Sequence, residues 1–177
     1  MIFKNVKGLT LPNGNAVKLS VVDKTLWRKT KKYKNWLPFA TNADRKTIMN
    51  GVGYKEGYRL SSSSGGETAQ KGMCVSGLMF PCKVGDVVRI KGVKPKQGTA
   101  SYVMTFNSAN TKVGALSLLQ HTDGSDWASK TEAVYENGIL TVELNSSTFG
   151  TGFDAFRFSA GVIDENTIVT INEEITE

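Results

Sequence analysis

The feature that most constrains this chain is alternation of apolar and polar residues with a period of two, cut at short intervals by Gly, Asn and Asp. Side chains of a strand point alternately to opposite faces, so this pattern describes half-buried strands rather than helices. The segments are Met73–Phe80, Asp86–Val93, Ala100–Phe106, Gly114–Gln120, Thr131–Tyr135, Ile139–Leu144, Asp154–Ala160 and Thr167–Ile175. Asn137-Gly138, between Tyr135 and Ile139, is a tight-hairpin signal. Lys83-Val84-Gly85-Asp86 makes a turn, after which Val88 and Ile90 face a core while Val87, Arg89 and Lys91 face away. No amphipathic helix of twelve residues and no tandem repeat is present. The expected fold class is all-β: an antiparallel β-sandwich or jelly roll with a small N-terminal β unit.

That unit occupies residues 1–30. Pro12-Asn13-Gly14-Asn15 is a turn signal, Val17, Leu19 and Val21 alternate with polar or small residues, and Asp23-Lys24 turns the chain toward Leu26-Trp27. A basic linker runs to about residue 35, and the sandwich fills residues 36–177. Charge separates the two parts. Residues 1–35 hold nine of the 22 basic residues and one acid, a charge of +8. Residues 36–177 hold the other 13 bases and 15 acids, a charge of −2. The basicity belongs to an arm, so an evenly basic nucleic-acid face on the body is not expected. Arg28, Lys29, Lys31, Lys32 and Lys34 form either a solvated connector or a docking contact for an acidic partner surface. Only Tyr33 interleaves with them, too few aromatics for base stacking.

No stretch reaches the ~20 apolar residues of a bilayer span, so membrane insertion is not expected. The N-terminus lacks the apolar run of a signal peptide. Cys74 and Cys82 flank an apolar run, and an extended chain would hold them roughly 26 Å apart at ~3.3 Å per residue. A disulfide requires about 7 Å or less between Cα atoms, so two free, buried thiols are expected.

Catalysis finds little support in the residues. His121 is the single histidine, so any Ser–His–Asp or Cys–His site would have to use it. It lies in the polar loop His121-Thr122-Asp123-Gly124-Ser125-Asp126-Trp127. Zinc-ligand spacing and phosphate-cradling glycine motifs are absent. Asp123 and Asp126 could offer oxygens to Ca2+, but the full pattern of a calcium loop is missing, and no cofactor or metal is expected. The reading is a binding or assembly protein, not an enzyme.

Aromatic residues supply the remaining candidates. Trp127, in that loop, is either a face for stacking on a sugar ring or a lid folded onto the core. His121, Asp123 and Asp126 neighbour it. Tyr54 and Tyr58 complete the ligand-binding set. Strict period two places both tyrosines on one face and Arg59 on the other. Trp36, beside Leu37, Pro38 and Phe39, reads as core.

Three phrases suggest a family. They are Asn50-Gly51-Val52-Gly53-Tyr54-Lys55-Glu56-Gly57-Tyr58-Arg59-Leu60 with the Ser61–Gly66 tract, Val75-Ser76-Gly77-Leu78-Met79-Phe80-Pro81-Cys82-Lys83-Val84-Gly85-Asp86-Val87-Val88-Arg89-Ile90, and the ending Ile168–Ile175. Together they resemble a β-sandwich module of tail, baseplate and fibre proteins of bacteriophages and prophages of Gram-positive bacteria. Cys82 and Leu78-Met79-Phe80 depart from its usual pattern. The N-terminal unit is similar to a short β motif of phage structural proteins. The resemblance implies a fold like a carbohydrate-binding module and a place in the virion, after synthesis in the bacterial cytoplasm. It implies other virion proteins and host-surface carbohydrate as partners, and by analogy with fibres a homotrimer. A subunit serving only assembly or decoration is the alternative. No catalytic residue is carried over.

Overall fold

The computed structural model describes residues 18–21, 24–27, 33–40, 53–77, 79–121, 124, 126–128 and 130–176. The chain divides into two compact units between Lys32 and Tyr33. In the first, β1 (Lys18–Val21) and β2 (Lys24–Trp27) form an antiparallel pair with Lys18 opposite Trp27. The turn expected at Pro12–Asn15 lies outside the described residues.

The second unit is an antiparallel β-sandwich. Its strands are β3 (Tyr54–Leu60), β4 (Glu67–Ser76), β5 (Phe80–Pro81), β6 (Val87–Lys91), β7 (Ser101–Phe106), β8 (Lys112–Leu118), β9 (Ala133–Glu136), β10 (Ile139–Glu143), β11 (Ala155–Ala160) and β12 (Ile168–Ile171). One sheet runs β3-β4-β11-β7-β8, with β5 also pairing β11; the other runs β12-β6-β10-β9. Opposing β4-β11-β7-β8 against β12-β6-β10 is the strand order of a jelly roll, in which the chain crosses repeatedly between sheets. The hairpin between β9 and β10 turns on Asn137 (φ 51°) and Gly138 (φ 75°), the pair of positive φ values that a two-residue turn needs to match strand twist.

Alternation places the core between the sheets. Val88 and Ile90 are fully buried while Val87, Arg89 and Lys91 are only partly covered. They meet Val103, Leu116, Phe156 and Phe158 from the facing sheet. Phe80 stacks on Phe156 and Phe158 with ring centroids 5.0 and 6.1 Å apart. Neither cysteine is in a disulfide; Cys74 is buried and Cys82 partly so. A single helical turn, α1 (Ser146–Phe149), capped by the Asn145 side chain accepting from the Thr148 N–H, wedges against β8.

The first hairpin departs from strict period two. Glu56 pairs with Cys74, but Tyr58 pairs with Ala69, so Gly57 alone faces residues 70–73. Gly57 (φ 81°) and Gly72 (φ 73°) both adopt the left-handed conformation at this bulge. The irregularity, with its left-handed Gly57, reverses the facing of β3 side chains beyond it. Tyr54 therefore packs on the main core and Tyr58 on a second cluster with Leu60, Val75, Met79, Met104, Phe106 and Ala155. The two tyrosines lie on opposite faces, which corrects the shared face that unbroken alternation predicts.

Met104 and Phe106 alternate with Val103 along β7, so the second cluster covers the outer face of the larger sheet. The far half of the β3–β4 hairpin folds back over that face. β3 packs on β7, which is not its neighbour in the sheet. Gly65 lies against the Phe106 ring, and Lys112 Nζ donates to the Ser62 carbonyl. Glu67 fastens the flap: Oε1 accepts from Arg157 Nη2 at 3.0 Å and Oε2 from Lys55 Nζ at 2.9 Å.

Candidate functional site

The double-glycine bulge that bends the hairpin also opens a cleft of about 540 Å³ on the side opposite the flap's apolar cluster. Residues 56–57 and 71–74 form one wall, and residues 161–164, leading from β11 to β12, form the other. The second wall is held tightly: the Gly161 and Val162 N–H groups both donate to the Lys94 carbonyl, at 2.8 and 3.2 Å. A Cβ at Gly161 would lie 2.6 Å from the Pro95 carbonyl oxygen, so only glycine permits this approach. Asp164 shapes the turn that follows, its Oδ1 accepting from the Asn166 N–H at 2.9 Å and its own N–H donating to Thr167 Oγ1 at 3.0 Å.

The cleft's chemistry is that of an acceptor site on an apolar floor. Met73, Cys74 and Ile163 are buried beneath it, while Glu56 and Lys71 stand exposed at its mouth and Asp164 is half-buried. Burial raises the pKa of the Tyr54 hydroxyl, and the carboxylates of Glu56, Glu165 and Asp164 raise it further. Glu56, Glu165 and Asp164 therefore all lie within electrostatic reach of this side chain. Two cations stand against these acids: Lys71 at the mouth, and Lys96, whose Nζ donates to the Lys71 carbonyl beside Gly72. Burial pushes the Cys74 thiol up, which leaves it protonated and a poor nucleophile at neutral pH. The acceptors of Glu56 and Asp164 over an apolar floor, with Lys71 as a donor at the mouth, suit a ligand bearing hydroxyl or amide groups.

None of the candidates from sequence lines this cleft; Tyr54 comes nearest, packed on the main core within electrostatic reach of Glu56 and Asp164. Tyr58 lies on the opposite face, its ring beneath Lys55 Nζ at 3.6 Å. Trp127 is 3% exposed and belongs to the main core, so it offers no face for stacking; the lid reading is the one that fits. It is drawn inward because Gln120 bridges to Trp127 and the Ala128 N–H donates to the Leu119 carbonyl at 2.9 Å, which continues β8 into the loop. His121 and Asp126 are exposed on that loop, joined through the His121 N–H and the Asp126 carbonyl, and far from convergent chemistry. Asp123 lies outside the described residues, as do Arg28, Lys29, Lys31 and Lys32. Lys34 is not a free arm. Its N–H donates to Glu173 at 2.6 Å, and its ammonium lies 3.4 Å from the Trp36 ring centre and 4.9 Å from that of Phe39.

Glu56, Lys71 and Asp164 were not singled out from sequence. The available signal was Gly57 and Gly72 inside strand-like runs, since an interior glycine marks a bulge or a close backbone approach. Among the described residues no group of His, Cys, Asp and Glu could hold a metal ion, and no helix is long and apolar enough to cross a membrane. Comparison with family models, with curated proteins and with solved structures finds no match to this chain. Fold and cleft together define an all-β jelly-roll protein with an acceptor-lined groove at a hairpin hinge.

Proposed function

We propose that this is a virion-associated binding protein of a bacteriophage, whose jelly roll recognises carbohydrate on the surface of a Gram-positive host. The observation that carries the reading is the hinge cleft, where Glu56 and Asp164 flank an apolar floor of Met73, Cys74 and Ile163. Carboxylates accept paired hydrogen bonds from neighbouring sugar hydroxyls, and an apolar floor suits the C–H face of a pyranose. The phrases at residues 50–66, 75–90 and 168–175 supply the viral context through their resemblance to tail and fibre modules. In this reading the protein acts without catalysis or cofactor, among other virion proteins, as a homotrimer.

Sedimentation with isolated Gram-positive cell walls tests it. The wild-type chain co-sediments, and Glu56→Ala with Asp164→Ala reduces the bound fraction at least ten-fold while the circular dichroism spectrum is unchanged. Binding that survives the double variant removes the cleft from the account.

The second reading, an assembly or decoration subunit without a glycan ligand, is favoured by the +8 charge of residues 1–35. In that case the chain ignores cell walls but joins particles, and deletion of residues 1–32 prevents its incorporation. The deletion is placed before Lys34 because Lys34 and Asn35 are bound to the β12 end of the sandwich.

A further inference from the structure

We infer that the outer face of the larger sheet carries a carboxylate-binding site made by Arg157 and Lys55, filled in this structure by the protein's own Glu67. The site is separate from the hinge cleft and shares no residue with it, so the two readings can fail independently. Arg157 is the unusual group. It projects from the middle of β11 and is 3% exposed, a cation almost wholly removed from water. Its Nη2 donates to Glu67 Oε1 at 3.0 Å and to the Ser76 carbonyl at 3.1 Å, but its buried Nε has no acceptor. A guanidinium has five donors in a rigid fork suited to bidentate carboxylate contact, and Glu67 engages this one through Nη2 alone.

Glu67 occupies that receptor as a ligand would. One oxygen meets Arg157 and the other meets Lys55. Burial raises its pKa, but the hydrogen bonds from Lys55 and Arg157 outweigh burial and hold the carboxyl below its ordinary value, so it stays ionised. Unlike Arg157, it is open to solvent: its side chain is 25% exposed and that of Lys55 is 43% exposed. It also comes from the flap, at the register position where β4 begins after the polar Ser61–Gly66 loop. In this proposal the Glu67 side chain swings into the solvent it already faces and leaves both cations to the incoming carboxylate. Tyr58, half-buried beneath Lys55, then supplies an apolar wall beside the incoming group. A carboxylate next to an aromatic ring is the chemistry of an acidic saccharide, a uronic acid residue being the simplest case.

The test is a titration of the full chain with D-glucuronate, followed by NMR of the arginine Nε–H and lysine side-chain signals, with D-glucose and acetate as controls. In the wild type, glucuronate gives saturable shifts at Arg157 and Lys55, and glucose gives none. Glu67→Ala, which removes the internal competitor, binds glucuronate at least ten-fold tighter, and adding Lys55→Ala abolishes that gain. Should Glu67→Ala fold poorly, Glu67→Gln keeps an oxygen while removing the charge and is read in the same way. The site is overturned if wild type and variant show no saturable response to millimolar glucuronate, or if loss of Glu67 brings no gain in affinity. Equal affinity for acetate overturns the assignment to a saccharide.

Discussion

Replacing Trp127 with alanine lowers the unfolding free energy by about 3–5 kcal/mol, the range for deleting a large buried aromatic side chain. The ring is 3% exposed and packs in the cluster that joins both sheets, so its removal leaves a cavity that rigid strands fill only partly. Domains of this kind have total stabilities of about 5–15 kcal/mol, which makes the loss a large share of the whole. Chemical denaturation followed by circular dichroism measures it directly. Trp127→Phe costs much less, under about 2 kcal/mol, because it keeps most of the apolar volume and deletes an indole N–H that is buried without an acceptor. Binding to cell walls by the phenylalanine variant is unchanged. A stable Trp127→Ala protein with altered binding would return this residue to the ligand.

Gly114→Ala has the next largest effect, a loss of about 3 kcal/mol, at the upper end for overpacking a tight core. A Cβ at this position would lie 2.4 Å from both the Cα and the carbonyl oxygen of Phe149. That backbone has little room to retreat. Thr105 Oγ1 donates to the Phe149 carbonyl at 3.1 Å and accepts from the Gly114 N–H at 3.1 Å, and Asn145 caps the turn from the other end. Phe149 itself is fully buried in the main core. Relief of the overlap therefore breaks the Thr105 bridge or shifts α1 (Ser146–Phe149) away from β8 (Lys112–Leu118). The same denaturation experiment reads the cost. A loss below about 0.5 kcal/mol would show that α1 is free to move and that the bridge is slack.

Regular alternation is a local property, so Val88 and Ile90 against Val87, Arg89 and Lys91 could be assigned to their faces from a short window. The turn at Asn137-Gly138 was legible for the same reason: two residues carry the whole signal. The reversal between Tyr54 and Tyr58 was not, because the irregularity at Gly57 reverses the facing of β3 side chains beyond it and the partner strand contributes four residues opposite that glycine. Trp127 was ambiguous for a different reason. A polar stretch surrounds it in sequence, while its burial depends on a bridge to Gln120 formed only in the fold. The cleft combines both difficulties. Glu56 lies at the bulge, and Asp164 reaches it from a loop more than a hundred residues later in the chain. No spacing rule links acids so far apart. Arg157 and Glu67 are separated in the same way, by a |i−j| of 90, and meet only because the hairpin folds back.

In the proposed reading, ligand recognition belongs to the hinge cleft and not to the loop around Trp127. Backbone amide NMR during titration with soluble fragments of host cell-wall polysaccharide tests it most directly. The expected result is saturable shifts confined to Glu56–Gly57, Lys71–Cys74 and Gly161–Asp164, with the His121 and Asp126–Ala128 signals unmoved. Shifts centred on His121 and Trp127, with the cleft silent, would contradict it.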